Sequence, residues 1–152
     1  MQLKDFIPFV SKKYNNIFFS GIAFDSSKVK KNDIFFAIKG NKFDGNNFID
    51  IAIKKGAKVI VTEKKINKKK ENTVFLYSSN VRKLLANVAF KILDNKPKKL
   101  VAVTGTNGKS SIADFYYQIL KLNYKKVASI GTIGIRHNNK KKSLGNTTLD
   151  PI

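Results

Sequence analysis

Lys109 and Ser110 follow directly on Gly108 and lie four and five residues beyond Gly105. In the run Thr104-Gly105-Thr106-Asn107-Gly108-Lys109-Ser110-Ser111 these types and spacings suit binding of a phosphate chain. Glycines at 105 and 108 can take backbone angles barred to other residues, so main-chain N–H groups can turn inward around an anion. Lys109 adds a full charge able to reach β and γ phosphates, and the Ser110 hydroxyl suits Mg²⁺. The expected ligands are therefore a nucleoside triphosphate and Mg²⁺. Gly105, Thr106, Asn107, Gly108, Lys109, Ser110 and Ser111 form the candidate nucleotide-binding set, with Lys109 the candidate catalytic residue and Ser110 the candidate metal ligand. The general phosphate-loop pattern has a glycine five positions before Gly108, where this chain has Val103. A glycine turn that only joins two elements is the plainer alternative.

Such a loop works only between a strand and a helix. Leu100 to Val103 is a short apolar run that reads as a buried strand, and Ile112, Phe115, Tyr116 and Ile119 recur at the spacing of one helical face. The N–H groups and roughly half a unit of positive dipole charge at the helix start would then point at the bound phosphate.

The 152 residues have room for one domain or two small ones. Without cysteine there is no disulfide framework or thiolate metal site, which suits a reducing compartment. No apolar run approaches the roughly 20 residues that span a bilayer, and the start lacks the features of a signal peptide, so a cytoplasmic protein without a membrane partner is expected. The formal charge of +20 invites a nucleic-acid reading. Of the 30 basic residues, however, only Arg82 and Arg136 are arginine, and the lysines are scattered through every segment. Phosphate-clamping surfaces draw on arginine and interleaved aromatics. No specific nucleic-acid partner is expected.

Taken in order, Leu3, Phe6, Ile7 and Val10 are spaced for an amphipathic helix, with Pro8 an awkward interior residue. Apolar runs from Ile17 (IFFSGIAF), at Ile34 to Ile38, at Lys58 to Thr62 and at Val74 to Tyr77 read as strands. Asn46 can cap a helix that buries Phe48, Ile51 and Ala52 and stops at Gly56. Val81, Leu84, Leu85, Val88, Ala89 and Ile92 form the clearest helical stripe. Pro97 marks a boundary, giving domains 1–97 and 98–152. Beyond it lie the phosphate loop, a strand at Lys126 to Ile130 and an Asn138-Asn139 hairpin turn. Strands alternating with helices predict an α/β class: a small α/β domain, then the start of a P-loop ATPase domain with an incomplete, mostly parallel sheet. Leu100 to Val103 and Lys126 to Ile130 are expected to lack sheet neighbours, leaving this part prone to aggregate alone. His137 reads as an exposed side chain beside a turn.

The run Thr104 to Ser111 resembles the TGTNGKTT loop of the Mur ligases and their folylpolyglutamate synthetase relatives. Asp25-Ser26-Ser27-Lys28-Val29, Asn32-Asp33-Ile34-Phe35-Phe36-Ala37, Asp44-Gly45 and Gly56-Ala57 resemble the DSR-x-V-x-PGD-LF-x-A…DG…GA signature that opens the same ligases, with Ser27 for arginine and Lys31-Asn32 for Pro-Gly. Gly131-Thr132-Ile133-Gly134 and Asn146-Thr147-Thr148 resemble the members that add the third amino acid more than those that add the terminal dipeptide.

The resemblance implies that the nucleotide is ATP and the activity that of an ATP-dependent amide-bond ligase of peptidoglycan precursor synthesis. It would activate the carboxylate of UDP-N-acetylmuramoyl-L-alanyl-D-glutamate as an acyl phosphate for attack by diaminopimelate or lysine. The partners implied are the UDP-N-acetylmuramoyl-dipeptide and a diamino acid, with a monomer at full length. It places Phe24, Ser26, Asn41, Lys42 and Phe43 at the sugar nucleotide, with Asn146, Thr147 and Thr148 reaching it from the central domain. Ser26 and Asn41 alone fit turn residues equally well. Since the family's second metal-binding carboxylate, modified lysine and C-terminal domain should follow Ile152, the 152 residues alone are expected to be inactive. The alternatives are a binding module without catalysis, a ligase of the dipeptide-adding type and a basic nucleic-acid binder.

Overall fold

A computed structural model describes residues 1–40, 43–66, 72–138 and 140–143. The chain divides into two compact units, one of residues 1–96 and one that begins at Pro97.

The first unit is built on four parallel strands, β1 (Ile22–Ala23), β2 (Ile34–Ala37), β3 (Val59–Thr62) and β4 (Val74–Tyr77), adjacent in chain order. The helices α1 (Leu3–Phe6), α2 (Ile49–Lys54) and α3 (Val81–Ile92) pack around it. A parallel sheet covered on both faces needs inner strands that can be buried at every position, and IFFA and VIVT are, with Thr62 at the end of β3 the one polar residue. Ile34, Phe36, Val59 and Val61 join Leu3, Leu84, Leu85 and Val88 in one core, while Phe35, Ala37 and Ile60 join Ile49, Ala52 and Ala57 in the other. The stripe read for α3 is the buried one, and Asn80 caps its start by accepting the Lys83 N–H at 2.8 Å. α2 ends as expected near Gly56, in a Schellman arrangement with Ala57 N–H on Ala52 O and Gly56 N–H on Ile53 O.

Several local expectations give way. The N-terminal helix is one turn long, because Pro8 has no N–H and its ring would meet the carbonyl of Lys4. Ile7 before it is extended, as a residue preceding proline must be. Of the IFFSGIAF run only Ile22–Ala23 joins the sheet. Phe18 makes an isolated antiparallel bridge to Gln2, and Phe19 packs edge-on against Phe6 at 5.2 Å. Asp44, not Asn46, caps the next helix, which starts as a 3₁₀ turn over Gly45–Phe48. In α2 Ile49 is buried and Ile51, expected on the inner face, is 44% exposed. Gly45 has no room for a side chain, since a Cβ there would lie 2.6 Å from Ile38 O. Asn32, where the ligase signature has glycine, takes φ 66°, a left-handed conformation that asparagine tolerates.

The second unit contains α4 (Lys109–Leu122) and three antiparallel strands, β5 (Ala128–Gly131), β6 (Gly134–His137) and β7 (Lys140–Lys142). Leu100 to Val103 forms no strand among the described residues, and Leu100 is 80% exposed. The expected strand at Lys126 to Ile130 does find a neighbour, as β5 on β6. A two-residue turn closes that pair at far less entropic cost than a crossover connection. Asn138, between β6 and β7, takes φ 46°, in keeping with the predicted hairpin turn, of which Asn139 lies outside the described residues. On α4 the predicted face is the outer one: Ile112, Phe115, Tyr116 and Ile119 are exposed, and Tyr117 is buried.

Candidate functional site

In the second unit the loop runs directly into α4. Gly108 is the helix N-cap in the left-handed conformation, φ 75°, and a Cβ there would touch nothing, so glycine is needed for its backbone angle and not for space. The first helical bond is Ile112 N–H to Gly108 O, at 2.9 Å. The N–H groups of Lys109, Ser110 and Ser111 belong to the opening turn, which has no intrahelical acceptors to offer them. Lys109 Nζ donates to Gly105 O and, at 2.9 Å, to Thr106 O. Its charge therefore lies across the loop. Gly105 to Ser111 are all solvent-exposed, so the seven candidate residues present amides, an ammonium and hydroxyls at a single helix start. This donor set can bind a polyanion, with serine hydroxyls available to a hard cation.

In the first unit, Phe24 and Ser26 follow the C-terminal end of β1, and Phe43 follows that of β2. Adjacent parallel strands bring these residues to the same end of the sheet. Phe24 is half-buried against the core, Ser26 opens a 3₁₀ turn, and Phe43 is 72% exposed. Asn41, Lys42, Asn146, Thr147 and Thr148 lie outside the described residues.

Two carboxylates organise this end of the sheet. Asp25 accepts the Ser27 N–H at 2.8 Å, which with the Ser27 hydroxyl holds its pKa below the ordinary value. Asp44 accepts the backbone N–H of Asn46 at 2.9 Å and its side-chain amide at 2.6 Å. Those two bonds, then Lys64 at 3.2 Å, lower its pKa too. Thr62, at the end of β3, donates to Asn46 Oδ1 at 2.5 Å, tying the 3₁₀ turn to the strand. The contacts among Thr62, Asn46, Asp44 and Lys64 escaped the sequence reading, which took Asn46 only as a helix cap and Thr62 only as the end of a strand. Their only signal is a threonine closing an apolar strand near a DG turn.

His137 is exposed, as expected. Among the described residues no group of three histidines, cysteines or carboxylates could hold a metal, and no helix is long and apolar enough to cross a membrane.

A family model described as the Mur ligase family, catalytic domain, matches residues 19–96, and one described as the Mur ligase middle domain matches residues 103–152. The UDP-N-acetylmuramoyl-L-alanyl-D-glutamate–2,6-diaminopimelate ligase of Rickettsia conorii is 45% identical over 115 residues, 76% of this chain and 24% of the relative. Its counterpart in Zymomonas mobilis is 40% identical over 132 residues, 87% of this chain and 27% of the relative. The chain thus spans about a quarter of the length of these relatives. A solved structure of a ligase with the same name shares the fold over 99% of this chain and 31% of its own, with TM-score 0.80 and 23% identity. MurF ligase from Thermotoga maritima, solved in complex with ADP, matches 66% of this chain and 23% of its own at 33% identity, TM-score 0.51.

Proposed function

This chain belongs to the Mur ligase family, and from that premise we propose that it supplies the sugar-nucleotide-binding and ATP-binding parts of a ligase that adds diaminopimelate to UDP-N-acetylmuramoyl-L-alanyl-D-glutamate. The observation that carries the reading is the loop Gly105–Ser111, with exposed donors on one helix end and Lys109 lying across them. The diaminopimelate ligases that match at 40 to 45% identity support the choice of substrate class.

The residues present fit the groups this chemistry needs. Amides of the loop and of the first helical turn would cradle the polyphosphate of ATP, and Ser110 would ligate Mg²⁺. The cation would neutralise charge on the transferred phosphoryl group. Lys109 would leave the carbonyls of Gly105 and Thr106 and donate to the phosphates, so binding exchanges two neutral acceptors for charged ones. Transfer to the substrate carboxylate is mainly positioning and charge compensation, which a loop fixed at a helix start provides. In the first unit, Phe24, Ser26, Asn41, Lys42 and Phe43 would receive the UDP end of the substrate, with Phe43 offering an exposed ring and Asp44 anchoring the loop behind it. Asn146, Thr147 and Thr148 would contact the same substrate. The domain assignment follows: residues 1–97 for the sugar nucleotide and 98–152 for the start of the ATP domain. A nucleotide-linked substrate and ATP fit a cytoplasmic enzyme, monomeric at full length.

Binding of a fluorescent ATP analogue with Mg²⁺ to the 152-residue chain tests the reading. Lys109→Ala is expected to weaken it roughly tenfold to a hundredfold, the worth of about one charged hydrogen bond, without changing the circular dichroism. Equal affinity in the variant, or no binding by the folded parent, would overturn it. Binding of a UDP-sugar without ATP would instead favour a module that catalyses nothing.

A further inference from the structure

Arg136 is one of two arginines in a chain that otherwise uses lysine for its positive charge, and its environment makes use of what lysine lacks. A guanidinium is planar, stacks on aromatic rings and presents a fork of donors. In β6, the Arg136 guanidinium lies 4.7 Å from the centre of the Tyr117 ring, the buried residue of α4. Its NH1 is paired with Asp114 Oδ1, while Asp114 Oδ2 accepts the Gln118 amide at 2.6 Å. Both partners of the ion pair are largely shielded, with side chains 29% and 23% exposed. The pair therefore joins β6 to α4 at a place where solvent screens it only in part.

Asp114 lies four residues beyond Ser110, one turn along the same helical face. Opposite that face, the turn between Gly131 and Gly134 joins β5 to β6 and forms one wall of a small cleft whose other wall includes Ser110, Ala113 and Asp114. The cleft holds about 20 Å³, far too little for a nucleotide.

We propose that Arg136 is a positioning residue for the nucleotide site: by pinning β6 to Asp114 and Tyr117 it holds the 131–134 turn against Ser110, and so fixes the hydroxyl that takes the metal. The inference rests on the reading of Gly105–Ser111 as an ATP loop with Ser110 toward Mg²⁺. Its consequence falls on the cation more than on the phosphates, which are held by amides and by Lys109.

The test measures binding of a fluorescent ATP analogue by the 152-residue chain, with and without Mg²⁺, for the parent, Arg136→Lys, Arg136→Gln and Asp114→Asn. The Mg²⁺ concentration needed for half-maximal enhancement should rise about tenfold in Arg136→Gln, while Mg²⁺-free affinity stays at the parent value. Arg136→Lys should resemble Arg136→Gln, because it keeps the charge and loses the stacked fork. Asp114→Asn, nearly isosteric, gives the same readout should Arg136→Gln fail to fold. An unchanged Mg²⁺ requirement in folded variants would overturn the proposal, and so would an equal loss with and without Mg²⁺, which marks a purely structural role. Failure of the parent itself to bind would bring down the ATP reading, a result distinct from both.

Discussion

Ile34–Ala37 and Leu100–Val103 are both four-residue apolar runs, yet the first is at most 1% exposed at every position and the second leaves Leu100 80% and Val101 59% exposed. The first has β1 on one side and β3 on the other, with helices over both faces. Leu100–Val103 has no ladder partner among the described residues. The same contrast separates the helices. α3 buries five residues, whereas α4, two residues longer, buries only Tyr117 and presents Ile112, Phe115, Tyr116 and Ile119 to solvent. An apolar pattern states a capacity for burial, and neighbours contributed by other parts of the chain decide whether it is used.

The sharpest way to break this comparison is to truncate one phenylalanine in each region. Phe36→Ala should destabilise the first unit by about 3–5 kcal/mol, since it empties a fully buried site. Phe115→Ala, 62% exposed, should change stability by no more than about 0.5 kcal/mol. Urea titration followed by circular dichroism checks both, and equal losses would erase the distinction. Gly45→Ala should cost about 1–3 kcal/mol, because its Cβ would press on the backbone of Ile38, which cannot yield without disturbing the end of β2. Tm comparison with the parent reads this out.

Asn80→Ala should cost about 1 kcal/mol by removing the acceptor for the Lys83 N–H. Hydrogen exchange at the start of α3 should rise, and exchange in α4, whose N-cap is a glycine without a side-chain bond, should not. The smallest effect concerns acid. Asp25 and Asp44 have folded pKa values below 3.8, so their caps contribute stability above that pH and lose it as pH falls further, through the folded values. Amide signals of Ser27 and Asn46 should shift in that range before the sheet unfolds.

Much of the first unit was legible because its signals are local or repeat along the chain. β4, α3 and the end of α2 at Gly56 fall where periodicity and capping put them. The bend at Gly108 and the helix after it were legible for the same reason, whereas the strand expected before them at Leu100–Val103 is not formed. Ile51 was misassigned because spacing counted from an Asn46 cap put it on the inner face, whereas the helix is entered through a turn capped by Asp44 and Ile49 takes the buried place. Nothing near Asp114 or Arg136 in sequence announces their pairing, as 21 positions and a helix end intervene.

By itself the amino-acid order determined the elements whose cause lies within a few neighbours: the glycine bends, the caps, the proline that halts α1 and the apolar stretches able to become strands. Only the tertiary structure decided which stretches obtained partners, which face of α4 turned inward and where the Arg136 guanidinium found its carboxylate. Torsional preferences act between adjacent residues, whereas a strand ladder or a buried ion pair exists only when distant backbone groups or charges meet and exclude water together.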